Sequence, residues 1–280
     1  MTIAALNSNS VAVITGAAAG IGLAISKRFA SIGMRIVAVD NRTEQLGAAV
    51  DTLLAAGASD VLISVTDVSD FEAVSRLEGK VAERFGGTDI LVNNAGIQPG
   101  SSMSGPIEAW RDILGTNLWG VIHGTKAFLP RMIERGRPGI IINTGSKQGI
   151  TTPPGDPAYN VTKAGVKAFT EALEHELRNT EGAQLSAHLL IPGFVFTDLN
   201  RQGRTEKPEG AWTPDQTAEF MMERLRENDF YILCPDNDVR RELDEKRIAW
   251  AAGDIIENRP ALSRWHPDYV DAFSDFIKGS

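Results

Sequence analysis

Tyr159 and Lys163 stand four positions apart in Tyr159-Asn160-Val161-Thr162-Lys163, Ser146 precedes the pair, and a glycine-rich run, Thr15-Gly16-Ala17-Ala18-Ala19-Gly20-Ile21-Gly22, lies near the N-terminus. Positions four apart on a helix share a face, so the Lys163 ammonium can lie beside the Tyr159 phenol. A free phenol has a pKa of about 10 and is almost wholly neutral at pH 7. Bringing it to about 7 takes about 4 kcal/mol, which one cation at ~4 Å supplies only where the effective dielectric constant is near ~20 rather than ~80. Such a tyrosine needs a partly dry cleft, and a bound cofactor can provide the dryness. Beside a nucleotide cradle, an acidified phenol points to hydride transfer, in which an alkoxide is made or consumed and a proton must be exchanged.

A glycine turn after the first strand lets backbone amides approach a pyrophosphate at the positive end of the following helix. Gly16, Ala19, Gly20, Ile21 and Gly22 are the candidate contacts. The same run could be no more than a tight packing point, so its context matters. Asp40 supplies that context: it ends the second strand about 20 residues on, where a carboxylate can accept from a ribose 2′-hydroxyl. A 2′-phosphate there would meet repulsion of at most about 4 kcal/mol per charge pair at ~4 Å. NAD is therefore expected over NADP. Asp is also a common turn residue at strand ends. Arg42 could receive a phosphate, but it is expected to open the next helix in solvent.

These residues need a scaffold that alternates. Apolar, β-branched runs predict strands over 11–14, 35–39, 61–65, 89–92, 139–143 and 185–191, and helices are predicted over 21–31, 44–56, 71–85, 110–135 and 158–179. Strands that are apolar throughout, joined by helices, imply an α/β fold: a doubly wound, Rossmann-like parallel sheet with helices on both faces. Residues 194–212 mix Gly203, Pro208 and Gly210 with charges and predict a mobile loop or short helices rather than core. Residues 236–280 predict a helical C-terminal extension rather than a second domain, so residues 1–280 are expected to form one domain. The rings of Tyr269, Phe273 and Phe276 share one helical face there and need a partner surface.

A formal net charge of −8 disfavours nucleic acid and anionic membranes as partners. Cys234 is the single cysteine, and His123, His175, His188 and His266 show no ligand spacing, so neither a disulfide framework nor a metal is expected. Residues 1–10 lack the basic start and apolar core of a signal peptide, and no apolar stretch approaches the ~20 residues that span a bilayer. A cytoplasmic protein with a small-molecule substrate is expected.

Over residues 11–235 the chain resembles the short-chain dehydrogenase/reductase family, on several ordered matches. They are the Thr15 to Gly22 run, Asp67-Val68, Asn93-Asn94-Ala95-Gly96, Asn117, Ser146, Tyr159 with Lys163, and Pro192-Gly193-Phe194-Val195-Phe196-Thr197. The resemblance implies an NAD-dependent oxidoreductase in which Tyr159 is the general acid/base and Ser146 stabilises charge on the substrate oxygen. It further implies that Lys163 holds the nicotinamide ribose and lowers the Tyr159 pKa, while Asn117 passes protons through a water to Lys163. Asp67 and Val68 would lie at the adenine, Asn94, Ala95 and Gly96 beside the central sheet, and Pro192, Gly193, Val195 and Thr197 at the nicotinamide. Read as residues alone, Ser146 could be an ordinary turn serine, and Asn117 a polar helix residue that bonds backbone.

Gln148, Phe194, Phe196 and Trp212, with Ser146, are expected to bound a moderately hydrophobic secondary alcohol or ketone. The resemblance also implies a homodimer or homotetramer, although the charged extension departs from the family's usual ending. Lys147 either puts a cation near the site or faces solvent. The competing function is a dinucleotide-binding sensor or scaffold without turnover, because a fold alone does not fix an activity.

Overall fold

The computed structural model describes residues 4–201 and 203–279. Its strands are β1 Val11–Thr15, β2 Arg35–Asp40, β3 Asp60–Val65, β4 Ile90–Asn93, β5 Gly139–Thr144, β6 Leu185–Ile191 and β7 Tyr231–Leu233. The helices are α1 Gly20–Ala30, α2 Thr43–Ala55, α3 Phe71–Phe85, α4 Ile107–Leu114, α5 Gly120–Glu134, α6 Gln148–Thr151, α7 Pro157–Asn179, α8 Pro214–Arg226, α9 Arg241–Ile256 and α10 Val270–Lys278. The strands form one parallel sheet in the order β3-β2-β1-β4-β5-β6-β7.

Successive side chains of a strand point to opposite faces, so each apolar strand feeds two cores. Ile14, Ile36, Ile90 and Ile142 pack against Phe29 of α1, Leu46 of α2 and Met221 of α8. Val13, Val37, Leu91 and Ile141 pack against Leu77 of α3, Phe128 of α5 and Leu173 of α7 on the other face. Each such burial stabilises by roughly 1.5–3 kcal/mol. The chain winds one way from β1 to β3 and the other way from β4 to β7. Between β1 and β4 lies the crevice at the carboxyl ends of the strands, where ligands of such sheets bind.

Three features depart from the sequence expectations. The helix predicted over 110–135 is instead α4, a π-helical turn Gly115–Trp119, and α5. Helix α8 was not expected, although Thr213 and Gln216 form a capping box with Pro214 in the first turn, a start that is legible in the sequence. Strand β7, three residues long, extends the sheet beyond the six expected strands.

In the C-terminal extension, α9 and α10 make a small core of their own. Trp250 meets Phe273 and Phe276 at centroid distances of 5.3 and 5.1 Å, Arg259 lies 4.0 Å over its ring, and its Nε1 donates to Ser263 Oγ at 2.8 Å. The partner surface that Phe273 and Phe276 need is thus found within the extension. Tyr269 instead sets its ring against His266.

Candidate active site

Close backbone approach builds the nucleotide end of the crevice. Gly16 and Gly20 have φ of +67° and +56°, and a Cβ on Gly22 would collide with the carbonyl of Gly16. Helix α1 starts at Gly20 with Ala19 as its N-cap and no side-chain cap, so its first amides remain available to an anion. Thr15 Oγ1 accepts from the amides of Asn94 and Ala95 at 2.9 and 3.0 Å, and Asn94 Nδ2 donates to Thr15 O at 3.0 Å. The loop after β4 is thereby fastened to the glycine turn. Asn93 Nδ2 donates to Asn143 Oδ1 at 2.9 Å and Asn143 Nδ2 to Thr170 Oγ1 at 3.0 Å, a buried chain that ties β4 to β5 and β5 to α7.

Asp40 is buried at the end of β2, where Ala18 N donates to its Oδ2 at 3.1 Å. Arg42 opens α2 as its N-cap, as expected, but its side chain, 40% exposed, folds back onto Asp40. Its Nε and Nη2 donate to the two Asp40 oxygens at 2.9 and 3.0 Å, and its own amide to Oδ1 at 3.1 Å. A carboxylate taken out of water needs such partners. Burial pushes the Asp40 carboxyl up, but the Arg42 and Ala18 bonds outweigh it and hold the pKa below the ordinary value.

Tyr159 and Lys163 both lie on α7, which begins at Pro157 with Asp156 as its N-cap. Both are buried, at 7% and 4% exposure. Lys163 Nζ donates to Thr144 O at 2.7 Å and lies 5.6 Å from the centre of the Tyr159 ring. Burial pushes the Tyr159 phenol up to about 12; a hydrogen bond with Ser146 lowers it and the Asp156 charge raises it. Burial likewise brings Lys163 down to about 8. Burial thus acts against the lowering of the Tyr159 pKa expected from Lys163, because desolvation disfavours phenolate and ammonium alike.

One cavity of about 1120 Å³ connects these groups and is bordered by Gly16, Asp40, Asp67, Ser146, Tyr159 and Lys163. Ala19, Gly20, Ile21, Val68, Asn94, Ala95, Gly96, Gln148, Pro192, Gly193, Phe194, Val195 and Thr197 also line it, as expected from the sequence. Four expected site residues do not. Gly22 lies behind the turn, where its missing side chain makes room for Gly16 O. Asn117 spends both ends of its amide on Ile97, accepting from the Ile97 N at 2.8 Å and donating to its O at 2.9 Å. Its side chain thereby fixes the loop after β4. Phe196 lies under the Arg201 guanidinium, and Trp212 packs edge-on to Phe220 of α8.

The backbones of Phe194 and Phe196 are paired with Trp212 at 2.8 and 2.9 Å, which turns the Trp212 ring to the core and pins the base of the 194–212 loop. Leu199, Asn200 and Arg204 of that loop reach the cavity instead. Thr116 and Thr144 also border it and were not singled out in the sequence. No local motif marks them, since the sheet and the π-helical turn after α4 bring them there.

Residues 10–208 match the family described as short chain dehydrogenase. The chain belongs to that family. It is 32% identical over 247 residues to the 1-deoxy-11-beta-hydroxypentalenate dehydrogenase of Streptomyces avermitilis, covering 86% of this chain and 90% of that one. A crystal structure of a short chain dehydrogenase/reductase from Burkholderia phymatum in complex with NAD superposes with a TM-score of 0.81 at 32% identity, covering 91% of this chain and 97% of the other. The alcohol dehydrogenase from the archaeon Thermococcus sibiricus complexed with 5-hydroxy-NADP superposes with a TM-score of 0.70 at 30% identity, covering 77% and 90%. As a short-chain dehydrogenase, the chain is an oxidoreductase of alcohols and ketones. Among the described residues no helix is long and apolar enough to cross a membrane.

Proposed function

We propose that this dehydrogenase transfers a hydride between NAD(H) and the carbinol carbon of a moderately hydrophobic secondary alcohol or its ketone. The observation that carries the reading is that Ser146, Tyr159 and Lys163 border the same cavity as Asp40 and the glycine turn. The side-chain-free cradle at Gly16 and Gly22, the uncapped start of α1 and the Asp40 carboxylate fit a dinucleotide.

NAD, when bound, supplies the hydride acceptor or donor. Gly16 to Ile21 would hold its pyrophosphate, Asp40 its adenosine ribose, and Lys163 its nicotinamide ribose. In ketone reduction Tyr159 Oη gives its proton to the substrate oxygen, and in alcohol oxidation it takes that proton back. Ser146 Oγ donates to the same oxygen and stabilises the charge that develops there. Phe194 and Leu199 supply apolar wall, which supports a moderately hydrophobic substrate. Asn117 contributes by fixing Ile97, whose segment borders the cavity.

The choice of NAD rests on the Asp40 negative charge, which the Arg42 clasp holds in its ionised form. The NAD complex of the Burkholderia relative supports it, and the NADP derivative bound to the Thermococcus relative makes the comparison worth measuring. In the same proposal the chain works as a single domain in the cytoplasm, assembled as a homodimer or homotetramer. Exposed Trp119, Ile255 and Ile256 offer surface for assembly, which sedimentation tests.

NADH formation with a panel of secondary alcohols tests the activity. Turnover that disappears in Tyr159→Phe supports the proposal. NAD binding without turnover on any member of the panel would favour the sensor instead.

A further inference from the structure

Lys147 follows Ser146 directly and borders the large cavity, while its ammonium is engaged by two carboxylates. Its Nζ lies 3.2 Å from Asp236 Oδ2 and 2.6 Å from Asp244 Oδ2, with all three side chains largely buried. Asp236 stands where the chain leaves β7, and Asp244 belongs to the first turns of α9. Asp236 also reaches the turn after β6: its Oδ2 accepts from Phe194 N at 3.3 Å, and its Oδ1 from Val239 N at 2.8 Å. Lys147 N donates to Pro192 O at 3.2 Å, which closes a ring between the Ser146 turn and the Gly193 turn.

Gly193 lies at the centre of this ring. A Cβ there would collide with the Asp236 carboxylate and the end of the Lys147 side chain, so the glycine lets this pair close over the turn without shifting. A cavity of about 50 Å³ lies beside them, bordered by Lys147, Ile150, Thr151, Leu233, Asp244 and Arg264 among others. Burial raises the Asp244 carboxyl above its ordinary pKa, against the pull of Lys147. The 2.6 Å ion pair with Lys147 is the direct contact that compensates the Asp244 charge, with the Arg247 guanidinium adding attraction.

We propose that Lys147 is a positioning residue: its buried ion pairs with Asp236 and Asp244 couple the C-terminal extension to the turns that carry Ser146 and Phe194, and so fix the geometry of the reacting end of the cavity. The inference rests on the proposed dehydrogenase function for its catalytic consequence, but not for its structural one. Removing a partner of a buried pair leaves an uncompensated charge, and the two turns must then relax around it. A displacement of about 1 Å at a reacting group can cost on the order of 10²-fold in rate. The nucleotide end, fastened separately through Thr15 and Asn94, stays in place.

The test uses the full-length protein and the variants Asp244→Asn, Lys147→Met and Lys147→Arg. Asp244→Asn is informative because Asp244 does not border the large cavity, so a direct contact with substrate cannot explain its effect. Peptide-level hydrogen exchange is read first. Amides of residues 145–148 and 192–196 should exchange at least ~10-fold faster in Asp244→Asn and Lys147→Met, while those of β1, β4 and α1 remain protected. Where turnover is measurable, kcat should fall by about 10-fold or more with little change in KM for NAD, and Lys147→Arg should recover most of the loss.

Unchanged exchange in both turns overturns the proposal. So does faster exchange throughout the sheet, which would show a general loss of stability, and so does a Lys147→Arg variant as impaired as Lys147→Met. A wild-type protein without turnover would count against the dehydrogenase reading alone, because the exchange result stands by itself.

Discussion

Lys163 Nζ lies 5.6 Å from the centre of the Tyr159 ring and gives its short hydrogen bond to Thr144 O rather than toward the phenol oxygen. Burial therefore governs both groups, with Tyr159 up to about 12 and Lys163 down to about 8. A phenol with so high a pKa is a proton donor throughout the neutral range and a scarce base. Ketone reduction should hold a steady rate through neutral pH, whereas alcohol oxidation should climb with pH beyond 8 without levelling. Initial rates in both directions between pH 6 and about 10 test this. An oxidation plateau near neutrality would show that Tyr159 titrates well below about 12 during turnover.

Tyr159→Phe removes the group that exchanges the proton and leaves the ring packing nearly unchanged. Turnover should fall by about 10²–10⁴, the usual worth of general acid–base catalysis. NAD affinity, read by isothermal titration, should stay close to that of the parent. A near-parental rate would mean that another group moves the proton.

Asp40→Ala has two effects at once, because Arg42 is bound to the carboxylate it removes. The ribose partner and the repulsion of a 2′-phosphate are lost, and the guanidinium is released. NAD should weaken and NADP improve, so the ratio of kcat/KM for the two cofactors should move toward NADP. Asp40→Ala/Arg42→Ala should lose NAD affinity without gaining NADP. If the double variant gains NADP as fully as the single one, the released guanidinium is not what receives the phosphate.

Lys163 also links stability to pH. Its pKa is about 8 when folded against an ordinary 10.5, so between those values the unfolded chain holds a proton that the folded chain has released. Stability contributed through Lys163 must therefore rise as pH increases across that window. Urea unfolding of the parent and of Lys163→Met at pH 8 and about pH 10 should show the rise in the parent and its reduction in the variant. Equal pH dependence in the two proteins would mean that the folded Lys163 keeps an ordinary pKa.

Much of the scaffold was legible because it is written in local pattern. Apolar runs such as Ile140-Ile141-Ile142 can satisfy only a strand buried on both faces, and Tyr159 and Lys163 share a face on any helix that contains them. The glycine turn and Asp40 were recognisable for a similar reason, since few residue types tolerate the backbone conformations and charge required there.

What the tertiary structure decided concerns partners far apart in the chain. Asn117 holds the loop after β4, because folding brings its side-chain amide to Ile97, twenty positions away. Trp212 looked like substrate wall, but pairing of its backbone with Phe194 and Phe196 turns the ring into the core. Lys147 was ambiguous in the sequence, and folding sets it at the border of the cavity with its ammonium paired to Asp236 and Asp244. A side chain's type and its neighbours in sequence determine what it can do. Which hydrogen bond or ion pair it makes depends on the groups that folding buries beside it, and the cost of leaving a buried polar group unpaired settles that choice.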